Sequence, residues 1–86
     1  MNIRRVAVVG YGHVGQAAVE AVQEAPDMEL AGIVRRDPSQ RGDIPPRIPV
    51  VHDVAELGPV DAALLCVPPR RVPEVAERYL QAGIHT

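Results

Sequence analysis

Three glycines near the start of the chain have the spacing of a loop that holds phosphates. Gly10, Gly12 and Gly15 follow the apolar run Val6–Val9, and a helix-like segment comes directly after them. The first glycine permits a tight turn, the second lets the backbone approach a pyrophosphate, and the third lets the helix pack close to the strand. Free N–H groups at the helix start then face the phosphates. Between such a strand and helix, this spacing predicts a dinucleotide-binding loop rather than an ordinary glycine turn.

The other residues of this loop are candidate contacts to the same ligand. Tyr11 stands between two glycines, and we expect its ring to pack over the cofactor or to lie at the loop surface. His13 stands at the helix start, where its imidazole could contact a phosphate, although solvent exposure is the simpler expectation. With Val14, these residues complete the predicted cofactor-binding loop.

A pair of arginines follows the last glycine of the loop by 20 residues, at the end of the second predicted strand. A carboxylate there bonds the ribose 2′-hydroxyl of NAD, whereas arginine accommodates the 2′-phosphate of NADP. Arg35 and Arg36 therefore favour NADP, because guanidinium groups clamp phosphates bidentately and stack on adenine. The alternatives are a solvated strand end, or NAD bound through Asp37 after a shift of two residues.

The segment Cys66, Val67, Pro68 and Pro69 ends the fourth predicted strand. Ligands bind at this edge of such sheets, and we expect the backbone here to run beside the nicotinamide ribose and ring. The two prolines are expected to stiffen the turn. Cys66 in an aliphatic strand is expected to be a small buried hydrophobic residue rather than a nucleophile.

Other kinds of site have no support in the sequence. His52 and His85 show no metal-ligand spacing with each other or with Cys66. There is no Ser-His-Asp order and no pair of catalytic carboxylates, and all nine basic residues are arginine, which excludes lysine chemistry. We therefore expect neither a metal site nor a catalytic residue within these 86 residues.

Alternating strands and helices position the candidate residues. Strands are predicted over residues 1–9, 28–34, 48–51 and 60–67, with the start of a fifth at 84–86. Helices are predicted over 13–25, ended by Pro26, and over 71–82, capped by Gly83. Asp53 is expected to cap a short helical turn, and the proline-rich residues 37–47 to form a loop.

Each predicted helix has an apolar stripe at helical spacing, which we expect to be buried against the sheet. The stripes consist of Val14, Ala17, Ala18, Ala21 and Val22 in the first helix and of Val72, Val75, Ala76, Tyr79 and Leu80 in the second.

This order of elements predicts an α/β fold, a doubly wound parallel sheet of the Rossmann type with strand order 3-2-1-4. The sheet is incomplete, because the fifth strand has only begun outside the fourth. We expect residues 1–86 to form the N-terminal part of a dinucleotide-binding domain, with the substrate domain and the catalytic residues beyond residue 86.

The composition excludes several classes of function. The hydrophobic content of 47% is that of a globular chain, and a net charge of −2 gives no reason to expect nucleic acid as a partner. No apolar stretch approaches the roughly 20 residues that span a membrane. A single cysteine and the lack of a signal peptide favour a cytoplasmic protein.

Three segments together resemble the start of the meso-diaminopimelate dehydrogenases: VAVVGYGHVG at residues 6–15, APDMELAGIVRR at 25–36 and ALLCVP at 63–68. The resemblance weakens over residues 37–49, and family members often carry asparagine where His13 stands. It implies an NADP-dependent homodimer of lysine biosynthesis, with a small amino acid as its substrate. The implied reaction oxidatively deaminates the D-centre of meso-2,6-diaminopimelate to L-2-amino-6-oxopimelate and ammonia.

The resemblance also implies roles for individual residues. Residues 10–15 take the phosphate-loop role, Arg35 and Arg36 the 2′-phosphate role, and residues 66–69 the cofactor-lining role. The 86-residue chain alone is then expected to be inactive. Two alternatives stay open: another NAD(P)-dependent oxidoreductase, such as a homoserine or aspartate dehydrogenase or a glucose–fructose oxidoreductase relative, or a nucleotide-sensing module without enzymatic activity.

Overall fold

A parallel sheet of four strands forms the centre of the computed structural model, which describes residues 3–39, 42, 44–67 and 69–86. The strands are β1 (Arg4–Val9), β2 (Met28–Val34), β3 (Val50–Val51) and β4 (Ala62–Leu65), in the spatial order β3-β2-β1-β4. The predicted topology is therefore confirmed. Strands β3 and β4 are shorter than predicted, and the first two residues of the predicted β1 lie outside the described residues.

Two helices connect to this sheet, α1 (His13–Glu24) after β1 and α2 (Val72–Gln81) after β4. Gly83 follows α2 with a φ of 81°. Its N–H donates to the carbonyl of Leu80, and the N–H of Ile84 donates to that of Tyr79. This left-handed residue satisfies the last carbonyls of the helix, so the predicted glycine cap is confirmed.

The central strand β1 is buried on both faces of the sheet. Ala7 and Val9 pack in one cluster with Tyr79 of α2. Val8, whose side chain points the opposite way, packs in a second cluster with Val19 of α1. The two helices therefore cover opposite faces, which is the doubly wound arrangement.

The predicted buried stripe of α1 is wrong in part. Gly15, Val19 and Val22 are the buried residues of this helix, whereas Val14 is 70% exposed. The contact stripe is set by Gly15, since a Cβ at this position would collide with the carbonyl oxygen of Gly10. The helix approaches the sheet at its glycine, and the neighbouring stripe of Val14, Ala17 and Ala21 turns outward.

The stripe of α2 is closer to the prediction. Val75 and Tyr79 are buried, and Val72 and Ala76 are partly buried. Leu80, which we expected in the core, is 58% exposed. The helix thus rests on the sheet along the i, i+4 line of Val75 and Tyr79.

The residues after α2 begin a fifth strand beside β4. His85 forms a parallel bridge with Ala62. The N–H of Ala63 donates to the carbonyl of His85 over 2.7 Å, and the N–H of His85 donates to that of Asp61 over 3.1 Å. The predicted start of a strand outside the fourth is confirmed.

The proline-rich segment forms a loop, and no helix or strand lies within the part of 37–47 that the structure describes. Its attachment to the core was not predicted. Ile44 is 4% exposed and packs in the cluster that holds Val8 and Val19, together with Ile48, which is 5% exposed. One isoleucine therefore anchors a polar loop to the α1 face of the sheet.

None of the helices in the described ranges is long and apolar enough to cross a membrane. The same residues contain no group of three histidine, cysteine or acidic side chains that could hold a metal ion.

Replacing the loop anchor by alanine should destabilise the fold. Because Ile44→Ala empties a buried site, we expect the free energy of unfolding to fall by about 2–4 kcal/mol in urea titrations. Ile3→Ala is the matched control, since Ile3 is 57% exposed and its loss should change stability by less than about 0.5 kcal/mol. Equal stabilities of the two variants would show that the loop is not anchored.

Candidate cofactor-binding site

The turn from β1 into α1 is closed by backbone contacts that only glycine allows. Gly10 has a φ of 96°, and a Cβ there would stand 2.6 Å from the carbonyl oxygen of Cys66. The N–H of Gly10 donates to the carbonyl of Val34 over 2.8 Å, so the corner is held between β2 and β4. Gly15 packs against the Gly10 carbonyl from the helix side. The predicted roles of the first and third glycines in the turn follow from these contacts.

Neither the backbone conformation nor the packing of the chain requires glycine at position 12; the residue there is Gly12. Its φ of −77° is open to other residues, and apart from its neighbours in the chain no described residue lies within 4 Å of the position a Cβ would take. Glycine here keeps space open outside the chain, which is what the close approach of a pyrophosphate needs.

The first turn of α1 faces that open space. Gly12 is its N-cap, and within the described residues no side chain caps this turn and no acidic residue lies in it. Its backbone N–H groups and the positive end of the helix dipole are therefore available to an anion. His13 and Val14 lie exposed on this turn, so the expected exposure of His13 is confirmed.

A cleft of about 590 Å³ lies at the carboxyl ends of β1, β2 and β4. It brings together six of the predicted site residues from the segments that follow three separate strands: Gly10, Tyr11, Arg35, Arg36, Cys66 and Val67. Pro68 lies outside the described residues. Pro69 begins a short 3-10 helix, Pro69–Arg71, which leads into α2. These positions agree with a binding site at the edge where the sheet reverses its strand order.

The far wall of the cleft was missed by the sequence analysis. It consists of Asp53, Val54 and Ala55 at the start of the short 3-10 helix Val54–Leu57, and of residues of α2 that include Arg78 and Tyr79. Asp53 accepts a hydrogen bond from the N–H of Ala55 over 3.0 Å, and Glu56 accepts one from the N–H of Asp53 over 3.1 Å. This capping box confirms the predicted helical turn and fixes one side of the cleft.

The cleft is strongly cationic. Arg35, Arg36, Arg71 and Arg78 line it, and Asp53 is the only acidic residue among its described lining residues. The Asp53 carboxylate offsets one of these four positive charges, so the lining keeps a net positive charge. The pairing of Arg78 with Glu74 over 3.8 Å joins two exposed side chains and is weak. The cleft therefore suits a ligand with several negative charges.

The end of β2 is ordered by contacts of Arg35 and Arg36. The guanidinium carbon of Arg35 lies 5.8 Å from the centre of the Tyr11 ring, within the range of a cation–π contact. Nδ1 of His52 lies 3.2 Å from the carbonyl oxygen of Arg36, a hydrogen bond in the tautomer protonated at Nδ1. His52 was assigned no role from the sequence, because its spacing is not that of a metal ligand. In the structure it contacts the backbone of a predicted site residue.

Asp37, which follows the arginine pair, bonds to Ser39. One carboxylate oxygen accepts hydrogen bonds from the N–H and the hydroxyl of Ser39, over 3.1 and 2.6 Å. The Ser39 bonds lower the pKa of Asp37, with a smaller contribution from the charge of Arg35. Asp37 does not line the cleft, whereas both preceding arginines do.

The pKa values of Cys66 and Tyr79, which also line the cleft, are shifted. Partial burial raises the pKa of the Cys66 thiol, so the thiol stays protonated at neutral pH. This favours the packing role that we expected over a nucleophilic one, although Cys66 is half-buried rather than fully buried. Burial and, to a smaller extent, the charge of Asp53 raise the pKa of Tyr79, which therefore stays neutral.

Comparison with known proteins yields one family and several relatives. The family model described as an oxidoreductase family with an NAD-binding Rossmann fold matches residues 4–86. The meso-diaminopimelate D-dehydrogenase of Bacteroides fragilis is 45% identical over 87 residues, covering 95% of this chain and 28% of that protein. The resemblance drawn from the three sequence segments is thereby confirmed.

Two further relatives differ in kind. The solved structure of an engineered D-amino acid dehydrogenase bound to NADP⁺ is 36% identical with a TM-score of 0.69, covering 94% of this chain and 25% of that one. The redox-sensing transcriptional repressor Rex of Thermotoga petrophila is 33% identical, covering 93% of this chain and 42% of that protein. The chain thus spans less than half the length of each of these relatives.

The two glycines Gly10 and Gly12 should respond differently to alanine. Gly12→Ala should change the free energy of unfolding by less than about 1 kcal/mol, since its Cβ meets no protein atom, but should weaken dinucleotide binding by about tenfold or more. Gly10→Ala should cost about 2 kcal/mol or more of stability, because it combines a positive φ with a backbone collision. Denaturant titration and calorimetric binding distinguish the two; unchanged binding in Gly12→Ala would refute the pyrophosphate role.

Proposed function

This chain belongs to the oxidoreductase family with an NAD-binding Rossmann fold, and we propose that it is the N-terminal, NADP(H)-binding part of a meso-diaminopimelate dehydrogenase. The observation that carries the proposal is the arginine-lined cleft beside the glycine turn, in a chain 45% identical to such an enzyme. The reaction would be the reversible oxidative deamination of the D-centre of meso-2,6-diaminopimelate to L-2-amino-6-oxopimelate and ammonia.

The cofactor would be held by three parts of the chain. Residues 10–15 would take the pyrophosphate on the open first turn of α1, where Gly12 leaves room for it. Arg35 and Arg36 would take the 2′-phosphate, and residues 66–69 would lie along the nicotinamide side. When bound, the cofactor supplies the hydride acceptor or donor. These residues would bind and orient it, and we propose that catalytic residues lie beyond residue 86.

The contacts of Asp37 support NADP over NAD. In an NAD site a carboxylate at the end of β2 must be available to accept hydrogen bonds from a ribose. Here one oxygen of Asp37 already accepts two bonds from Ser39, outside the cleft. The two residues of this segment that do line the cleft are arginines, which match a phosphate.

The remaining features of the proposal come from the family resemblance. We propose a homodimer in the cytoplasm that acts on a small amino acid in lysine biosynthesis. Residues 1–86 would be one part of a larger cofactor-binding domain, followed by a separate substrate domain.

A nucleotide-sensing module is the second candidate function. It is favoured by the 33% identity to the repressor Rex and by a Rex-family repressor structure that matches with a TM-score of 0.79 at 26% identity. The two candidates differ in what accompanies the chain: a substrate domain supports the enzyme, whereas a DNA-binding domain supports the sensor.

Removing the arginine pair should abolish the preference for NADP. In the full-length protein, Arg35→Ala with Arg36→Ala should weaken NADP⁺ binding about 10- to 100-fold, as expected for lost charged hydrogen bonds, and NAD⁺ binding only slightly. Arg4→Ala is the control for net charge, because Arg4 is exposed at the opposite end of β1. Equal losses for both cofactors in calorimetric titrations would rule out the 2′-phosphate role.

Substrate assays of the full-length protein test the reaction itself. We expect NADP⁺ reduction with meso-diaminopimelate in a panel of D- and L-amino acids, and none from the 86-residue chain alone. Turnover by that chain would contradict our placement of the catalytic residues. Cofactor binding without any turnover of the panel by the full-length protein would favour the sensor.

A further inference from the structure

The contact between Tyr11 and Arg35 joins two parts of the candidate site that are distant in sequence. Tyr11 belongs to the glycine turn, and Arg35 comes directly after β2. Both side chains are partly buried and both line the cleft. The guanidinium carbon lies over the ring, 5.8 Å from its centre. The ring therefore faces a cation of the chain itself.

The sheet fixes where both residues stand. Val9 pairs with Val34 in the parallel register of β1 and β2. The N–H of Gly10 donates to the carbonyl of Val34 over 2.8 Å, and the N–H of Arg35 donates to that of Val51 over 2.8 Å. Tyr11 and Arg35 thus stand at the ends of neighbouring strands, where these hydrogen bonds fix the positions of their backbones.

The Tyr11 ring lowers the entropy that the Arg35 side chain loses when a ligand binds to it. An arginine side chain has many rotamers, and ordering it on binding lowers the affinity. A guanidinium that already rests on an aromatic face has lost part of that freedom before the ligand arrives. The benefit applies to a ligand group that contacts Arg35 and to no other part of the ligand.

We propose that Tyr11 is a positioning residue for cofactor preference, and that its ring holds the Arg35 guanidinium in place for the 2′-phosphate. The effect passes through Arg35 and needs no contact between Tyr11 and that phosphate. This role differs from the packing over the cofactor that the sequence suggested. The inference rests on the proposed NADP site.

A double-mutant cycle in the full-length protein tests this role. Calorimetric titrations with NADP⁺ and NAD⁺ would compare the parent protein with Tyr11→Leu, Arg35→Ala and the double variant. Tyr11→Leu should lower the ratio of NADP⁺ to NAD⁺ affinity about three- to tenfold, the range of a cation–π contact. In the Arg35→Ala background the same change should leave the ratio within about twofold, because the two residues act through one contact.

Tyr11→Phe is the conservative variant that separates the ring from the loop. It retains the aromatic face, so the affinity ratio should stay within about twofold of the parent. A general disturbance of the glycine turn would weaken both cofactors and leave the ratio unchanged, because both carry the pyrophosphate. NAD⁺ therefore serves as an internal control for folding.

The outcomes separate this inference from the proposed function. If Arg35→Ala lowers the ratio but Tyr11→Leu does not, or if Tyr11→Leu lowers it equally without Arg35, the positioning role is overturned and the NADP site stands. If Arg35→Ala leaves the ratio unchanged, the 2′-phosphate role of Arg35 fails, and the role of Tyr11 fails with it.

Discussion

A side chain at residue 10 would stand 2.6 Å from the carbonyl oxygen of Cys66, so β1 can turn into α1 at this point only through glycine. Gly15 then meets the carbonyl of Gly10 from the other side. These two contacts place the end of β4, the turn and the first turn of α1 against one another. The cleft, its glycine edge and the stripe on which α1 packs all depend on this stacking of backbones.

Much of the fold follows from local patterns that the sequence displays openly. Buried β-branched runs, a glycine corner and a glycine cap each depend on residues close in the chain, and the parallel order follows from the alternation of elements. The burial of Ile44 could not be read in this way. A single isoleucine among prolines and polar residues has no periodicity, and its burial depends on where β3 brings the loop.

The same distinction between local patterns and tertiary packing applies to the candidate site. Motif spacing located the glycine turn and the arginine pair, because these roles belong to residue types at fixed distances. The far wall could not be predicted from the sequence. Its residues Asp53, Arg71 and Tyr79 reach the cleft only through the packing of α2 and a short 3-10 helix on the sheet. The exposure of Val14 was not predicted for a related reason. Hydrophobicity marks two adjacent stripes on α1, and only the space available beside Gly15 selects the one that is buried.

The backbone stacking at Gly10 also separates the rigidity of the cleft from its proposed cofactor preference, two properties that are often coupled in enzymes. Backbone packed on backbone has no rotamer with which to absorb a displacement, so the glycine edge of the cleft is rigid. The arginines at the end of β2 are side chains at the rim, and their replacement removes no buried contact from the core clusters. If Arg35 and Arg36 hold the 2′-phosphate as we propose, cofactor preference can be changed by substituting these side chains without repacking the core clusters.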